Sequence, residues 1–228
     1  MNSLFINKSE GEPTIFESVQ GEGLQMGVPS FFIRLQGCSV HCFFCDEKET
    51  WSDIHGDQNS MEMSFDEIIT KLEALNPLLK RVVITGGEPC EQKLSGFIKT
   101  LQENLFTVAI ESSGTGKYVS DLFLDYLQPL WITFSPKEIY SPHKLVSEGQ
   151  IWAKASEIKF VVANEKAESY IFEEIIPRKD AAKNPCPIFL VPDWFNFDEN
   201  KERVLKLCRD YPSRFRIGVQ GHKYLSLK

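Results

Sequence analysis

Apolar residues in this chain fall into short unbroken runs, separated by longer stretches in which they recur every three or four positions. The runs at residues 30–35 (SFFIRL), 81–85 (RVVIT), 107–110 (TVAI), 131–134 (WITF), 157–162 (EIKFVV), 188–191 (IFLV) and 214–219 (RFRIGV) are rich in β-branched and aromatic side chains. They predict buried strands. The clearest helix begins at Ser64. Ser64-Phe65-Asp66-Glu67 has the form of a capping box, and Ile68, Ile69, Leu72 and Leu75 follow at helical spacing. Residues 91–104, 118–127, 165–176 and 198–210 predict further helices. Strands alternating with helices give an α/β chain with a mainly parallel sheet and outer helices. Seven strands fit a barrel or an incomplete barrel better than a sandwich. An open doubly wound sheet stays possible, because one sequence does not encode strand order.

In either arrangement, functional groups collect where strands end and loops begin. Polar motifs follow the strands throughout: a cysteine-rich loop after residue 35, Gly86-Gly87-Glu88-Pro89 after RVVIT, Glu111 to residue 114 (ESSG) after TVAI, and Ser135-Pro136-Lys137 after WITF. All of them are expected on one rim.

Composition adds few constraints. At 228 residues, 42% hydrophobic and 25% charged, the chain suits a single domain over residues 1–228. A net charge of −7 gives no uniform attraction to nucleic acid or anionic lipid. The first residues show no secretory pattern and no stretch has the apolar length of a membrane span, so a soluble, cytoplasmic protein is expected.

Six cysteines are present. In a reducing compartment, closely spaced cysteines read as metal ligands. Cys90, Cys186 and Cys208 are scattered and read as small buried hydrophobes. The other three lie in GCSVHCFFC, giving Cys38-x3-Cys42-x2-Cys45. Three adjacent thiolates can hold three irons of a cubane cluster and leave the fourth iron open. A structural zinc site normally needs four ligands in paired spacing. His41 offers a fourth, but no second pair follows, so the cluster is preferred to zinc and zinc to coincidence.

This loop, with Phe44 just before its last cysteine, resembles the signature of radical S-adenosylmethionine enzymes. The resemblance implies a partial TIM-like barrel with a radical SAM core, a [4Fe–4S] cluster on Cys38, Cys42 and Cys45, and S-adenosylmethionine on the open iron. It places Phe44, Cys45, Asp46, Gly86, Gly87, Glu88, Glu111, Ser135, Pro136 and Lys137 around that cofactor. Two adjacent glycines also let main chain approach a ligand closely.

The flanking motifs narrow the resemblance. Residues 15–23 (IFESVQGEG), residues 29–38 (PSFFIRLQGC), Cys45-Asp46, Trp51 and residues 220–225 (QGHKYL) are similar to those of 7-carboxy-7-deazaguanine synthases. That family converts 6-carboxy-5,6,7,8-tetrahydropterin into 7-carboxy-7-deazaguanine with ring contraction and loss of ammonia, on the route to queuosine and other 7-deazapurines. The resemblance implies Glu22, Arg34 and His222 as catalytic residues, and Val19, Gln20, Gly21, Glu22, Arg34, Thr85, His222 and the terminal carboxylate of Lys228 around the pterin. It also implies a reductant such as flavodoxin or ferredoxin, Mg²⁺ and a homodimer.

Two positions depart from the family pattern. Where a hydroxyl residue usually follows Cys-Asp and helps hold Mg²⁺, this chain has Glu47, expected to coordinate the ion directly because carboxylates suit hard cations. Residues 188–194 (IFLVPDW) lack the customary glutamine before the proline. The rival expectations are another small radical enzyme, such as a glycyl-radical activase, and a non-catalytic iron–sulfur or zinc protein.

Overall fold

The computed structural model describes residues 2–52, 54, 58–141 and 146–227. Their strands are β1 (Ser3–Ser9), β2 (Glu12–Pro13), β3 (Ile15–Val19), β4 (Pro29–Leu35), β5 (Ser60–Ser64), β6 (Arg81–Gly86), β7 (Thr107–Ser112), β8 (Trp131–Phe134), β9 (Glu157–Val162), β10 (Ile188–Pro192) and β11 (Phe215–Ile217). The helices are α1 (Phe65–Leu75), α2 (Ser95–Glu103), α3 (Gly149–Lys154), α4 (Glu165–Tyr170), α5 (Ile176–Ala181), α6 (Phe197–Asp210) and α7 (Gly221–Leu225).

The sheet runs β11-β10-β9-β8-β7-β6-β4-β1-β2 and does not close among the described residues. From β4 to β11 every pairing is parallel, so the seven strands expected from the apolar runs form an incomplete barrel. Ile84, Ile110, Ile158 and Leu190 are fully or almost fully buried, as a parallel sheet covered by helices requires. No helix among the described residues is long and apolar enough to cross a membrane.

Helix α1 starts where the sequence places it: Ser64 Oγ accepts from Glu67 N–H and the Glu67 carboxylate accepts from Ser64 N–H. The helix expected over 118–127 is instead a short 3₁₀ turn, Val119–Phe123. That turn is pinned by the buried Asp121 carboxylate, which accepts the N–H groups of Leu94 and Ser95 at 2.9 Å. Those bonds also explain why α2 begins at Ser95 rather than at residue 91. The expected helix over 165–176 runs on to Ala181, widened to π geometry over Ile171–Ile175 just before Pro177; proline has no N–H to continue the ordinary ladder.

Four strands lie outside the seven apolar runs. β3 pairs antiparallel with β4, and β1 pairs with both β4 and β5. Their residues alternate or mix polar and apolar side chains, so they carry no run.

The segment after β3 turns inward and forms the floor of the half-barrel. Leu24 N–H donates to the Glu157 carboxylate at 2.7 Å, and Thr133 Oγ1 donates to the other Glu157 oxygen at 2.7 Å. This loop meets the start of α7, where Gly221 N–H donates to Gly21 C=O at 2.8 Å. Segments far apart in the chain thus pack together beneath the strand ends.

Candidate active site

The expected rim is real. A cavity of about 840 Å³ opens at the ends of the parallel strands and takes in the cysteine loop, the ends of β6 to β10, the floor loop and α7. Cys38, Cys42, Phe44, Cys45, Asp46, Glu47, Thr85, Gly86, Gly87, Glu88, Glu111, Ser135 and Lys137 line it, as do Val19, Gln20, Gly21, Glu22, Arg34 and His222. Pro136 is buried outside the lining. Lys228 lies outside the described residues.

Cys38, Cys42 and Cys45 are free thiols from one loop. Burial pushes all three up, Cys38 to about 12. Thiolates in so dry a place need a strong cation, which a cluster's irons supply. Among the described residues no three His, Cys, Asp or Glu side chains converge tightly enough to chelate one ion. The fit to a cluster therefore rests on the donor chemistry: three thiols, one loop, one cavity. His41 stacks on Trp51 with centroids 4.8 Å apart.

The Gly86-Gly87-Glu88 strand end holds the cysteine loop in place. Gly87 N–H donates to Leu35 C=O at 2.9 Å and Glu88 N–H to Gly37 C=O at 2.8 Å. A Cβ at Gly87 would lie 2.1 Å from the Gly37 carbonyl oxygen. The two backbones therefore approach only because this residue has no side chain. The Glu88 carboxylate is occupied: it accepts from Cys90 N–H at 3.0 Å, Ser112 Oγ at 2.6 Å, Ser113 N–H at 2.7 Å and Ser113 Oγ. It ties the ends of β6 and β7 together.

Beyond the cysteines the wall is charged. Arg34 pairs with Glu47 and lies over the Phe16 ring, 5.6 Å from its centroid. Burial pushes the Glu47 carboxyl up against the pull of Arg34. Asp46 pairs with Lys223 of α7 at 3.0 Å, and Lys223 also stands 5.0 Å from the Trp194 ring centroid. Lys137 packs 4.9 Å from the Phe44 ring centroid, and burial pulls its ammonium down. His222 Nδ1 is 3.7 Å from Glu22.

Among the lining residues that the sequence did not single out, Lys159 carries a charge into the cavity wall. Lys159, mid-strand in β9, reaches Glu22 at 2.8 Å and Glu111 at 3.2 Å. Its signal was a lysine inside the otherwise apolar EIKFVV. Val191, Pro192, Asp193 and Trp194 also line the cavity, on the stretch without the customary glutamine.

The chain that carries this cysteine-loop cavity on a partial barrel matches known proteins over nearly its full length. Residues 19–121 match the model of the 4Fe-4S single cluster domain. The chain is 36% identical to the 7-carboxy-7-deazaguanine synthase of Buchnera aphidicola, over 94% of this chain and 97% of that protein. The chain belongs to the 7-carboxy-7-deazaguanine synthase family. Further members of the family are 33% identical in Synechocystis and 30% identical in Escherichia coli K12, each over 93% of this chain. A crystal structure of QueE from Escherichia coli superposes with a TM-score of 0.73 at 28% identity, covering 93% of this chain and 92% of that one. The fold common to family and chain is the unclosed, mainly parallel sheet.

Proposed function

We propose that this chain is a radical S-adenosylmethionine lyase that converts 6-carboxy-5,6,7,8-tetrahydropterin into 7-carboxy-7-deazaguanine, with ring contraction and release of ammonia, in the route to queuosine and related 7-deazapurines. One observation carries the reading. A single cavity gathers the cysteine loop, the Gly86-Gly87-Glu88 strand end and the Arg34, Glu22 and His222 side chains, in a chain whose relatives over nearly its full length bear that enzyme's name.

Cys38, Cys42 and Cys45 would hold the [4Fe–4S] cluster, which with bound S-adenosylmethionine supplies an adenosyl radical that takes hydrogen from the substrate. Main chain at Gly86 and Gly87 would hold the methionine part of the cofactor, with Phe44, Asp46, Glu111, Ser135 and Lys137 around the remainder. Glu88 contributes by holding that backbone, its carboxylate being fully bonded. Arg34 offers a fork of donors to the pterin carboxylate, and His222 offers a second partner. Val19, Gln20, Gly21, Glu22 and Thr85 surround the ring system, and Lys228 would reach the pterin amino group.

Glu47 is the carboxylate beside Arg34. A Mg²⁺ ion arriving with the substrate carboxylate would take Glu47 as a hard oxygen ligand and free Arg34 to face the substrate. Flavodoxin or ferredoxin would supply the electron. The 228 residues would act as one radical SAM domain, paired as a cytoplasmic homodimer.

Anaerobic incubation with 6-carboxytetrahydropterin, S-adenosylmethionine, reductant and Mg²⁺ tests the proposal. A brown protein that releases 7-carboxy-7-deazaguanine is expected. A colourless, zinc-loaded protein that leaves S-adenosylmethionine intact would overturn it.

A further inference from the structure

Lys159 stands on an apolar strand. Side chains alternate between the two faces of a strand. Ile158, Phe160 and Val162 are fully buried, whereas Lys159 and Val161 line the cavity. Taking an ammonium out of water is costly unless charges compensate it. Glu22 at 2.8 Å and Glu111 at 3.2 Å do so, and they keep it protonated although burial pulls the other way. The same ammonium, with Gln20, holds the buried Glu111 carboxyl below its usual range against burial.

Lysine has three N–H donors, and these two carboxylates take two. No described residue takes the third. Each Glu111 oxygen has a close partner, the second accepting from Gln20 Nε2 at 2.9 Å. Glu22 has a close partner on one oxygen only: its second oxygen meets Gln220 Nε2 at 3.4 Å and His222 Nδ1 at 3.7 Å, both long for a hydrogen bond of this kind. The wall therefore presents one uncommitted cationic donor directly beside one underused carboxylate acceptor.

That order of groups fits one particular heterocycle edge. A 2-amino-4-oxo pyrimidine ring shows an oxygen acceptor next to a ring N–H and an amino group, both donors. A 2,4-diamino ring offers a carboxylate on this edge one donor fewer, because its ring nitrogen there carries no hydrogen. It also fails a lysine beside that carboxylate, because an amino group at position 4 turns a donor toward an ammonium that has no acceptor to give. We infer that Lys159 and Glu22 read this edge as a pair, Lys159 donating to the 4-oxo oxygen and Glu22 accepting from the neighbouring N–H groups, so that Lys159 reads the group at position 4. The inference rests on the pterin reading above.

The test uses cluster-loaded protein with bound S-adenosylmethionine and two fluorescent probes, 6-carboxypterin and its 2,4-diamino counterpart, with Kd read from fluorescence quenching. The native protein binds the 4-oxo probe tighter by roughly tenfold to a hundredfold, as expected when the wrong ring leaves a buried donor unpaired. In Lys159→Gln the ratio falls severalfold below the native one, since an amide turns either its N–H or its oxygen to the group at position 4, while the part that Glu22 carries remains. Lys159→Arg keeps the 4-oxo preference. A native protein that binds neither probe overturns the pterin reading. A native protein that binds both equally, or a folded Lys159→Gln variant that keeps the native ratio, overturns the assignment of Lys159 alone.

Discussion

A Cβ on Gly21 would lie 2.8 Å from His222 Nδ1 and 2.9 Å from the His222 backbone nitrogen. These residues come from opposite ends of the chain, and their contact packs α7 against the loop after β3. The Gly221-to-Gly21 hydrogen bond at 2.8 Å fixes the same approach. His222 faces the cavity only because the floor loop has no side chain at this point.

Gly21→Ala therefore has to move α7. Overfilling a packed contact costs about 1–3 kcal/mol, so thermal denaturation should show a lower Tm. The displaced His222 should raise KM for the pterin more than it lowers kcat. An unchanged KM would show that α7 is not held by this contact.

The three loop thiols should be separable from the scattered ones. Cys38→Ala is expected to abolish the visible absorbance of the reconstituted cluster and all cleavage of S-adenosylmethionine. Cys208→Ala, on the outer helix α6, should leave both intact. Iron counts and absorbance after anaerobic reconstitution check both variants.

Arg34 and Glu47 should act oppositely on substrate and metal. Arg34→Lys keeps the charge and loses the fork, at a cost of about 1.5–3 kcal/mol for a charge-assisted pair, or roughly tenfold or more in kcat/KM. Glu47→Ala should weaken the dependence of turnover on Mg²⁺. A Mg²⁺ titration that superposes on the native curve would rule out Glu47 as a ligand.

Glu88 is 2% exposed, and Glu88→Ala leaves the donors of Cys90, Ser112 and Ser113 without their acceptor. Each buried unsatisfied group costs about 1–3 kcal/mol. A fall in the denaturation midpoint is expected, together with loss of the close fit between the Gly87 strand end and the cysteine loop. Urea titration of the purified variant measures the first, and its cluster content measures the second.

Glu138 predicts the acid limb of stability. Burial pushes its carboxyl up, but the Ser147 N–H and hydroxyl, the Tyr170 hydroxyl and Arg178 outweigh that and hold it below its ordinary value of 4.5. A carboxyl depressed in the folded state contributes stability that is complete above its unfolded pKa and is lost as pH falls through its folded pKa. The stability difference between native protein and Glu138→Gln should therefore be largest near neutral pH and shrink on acidification below about pH 4.5. Urea denaturation across that range checks the slope.

The seven parallel strands, the capping box at Ser64 and the strand-end motifs were legible because each is a local signal: an apolar run, a side chain bonding its own helix start, or a motif directly after a strand. The fold over 118–127 was not, because the donors that Asp121 satisfies lie on Leu94 and Ser95, more than twenty residues away. β1, β3 and β5 were hidden because their sequences mix polar and apolar residues without an apolar run.

For the site, the sequence by itself determined the chemistry: three thiols in one loop, a glycine-glycine strand end, an arginine before the loop and a histidine near the end. Tertiary structure alone decided their relations. It bonded the Glu88 carboxylate fully, so that this side chain ties strand ends together. It set Glu47 against Arg34, and it brought Lys159 between Glu22 and Glu111, which lie 89 positions apart in the chain. The physical reason is that a buried charge has to find its partners in space, and nothing in the local pattern around a lysine says which distant carboxylates those are.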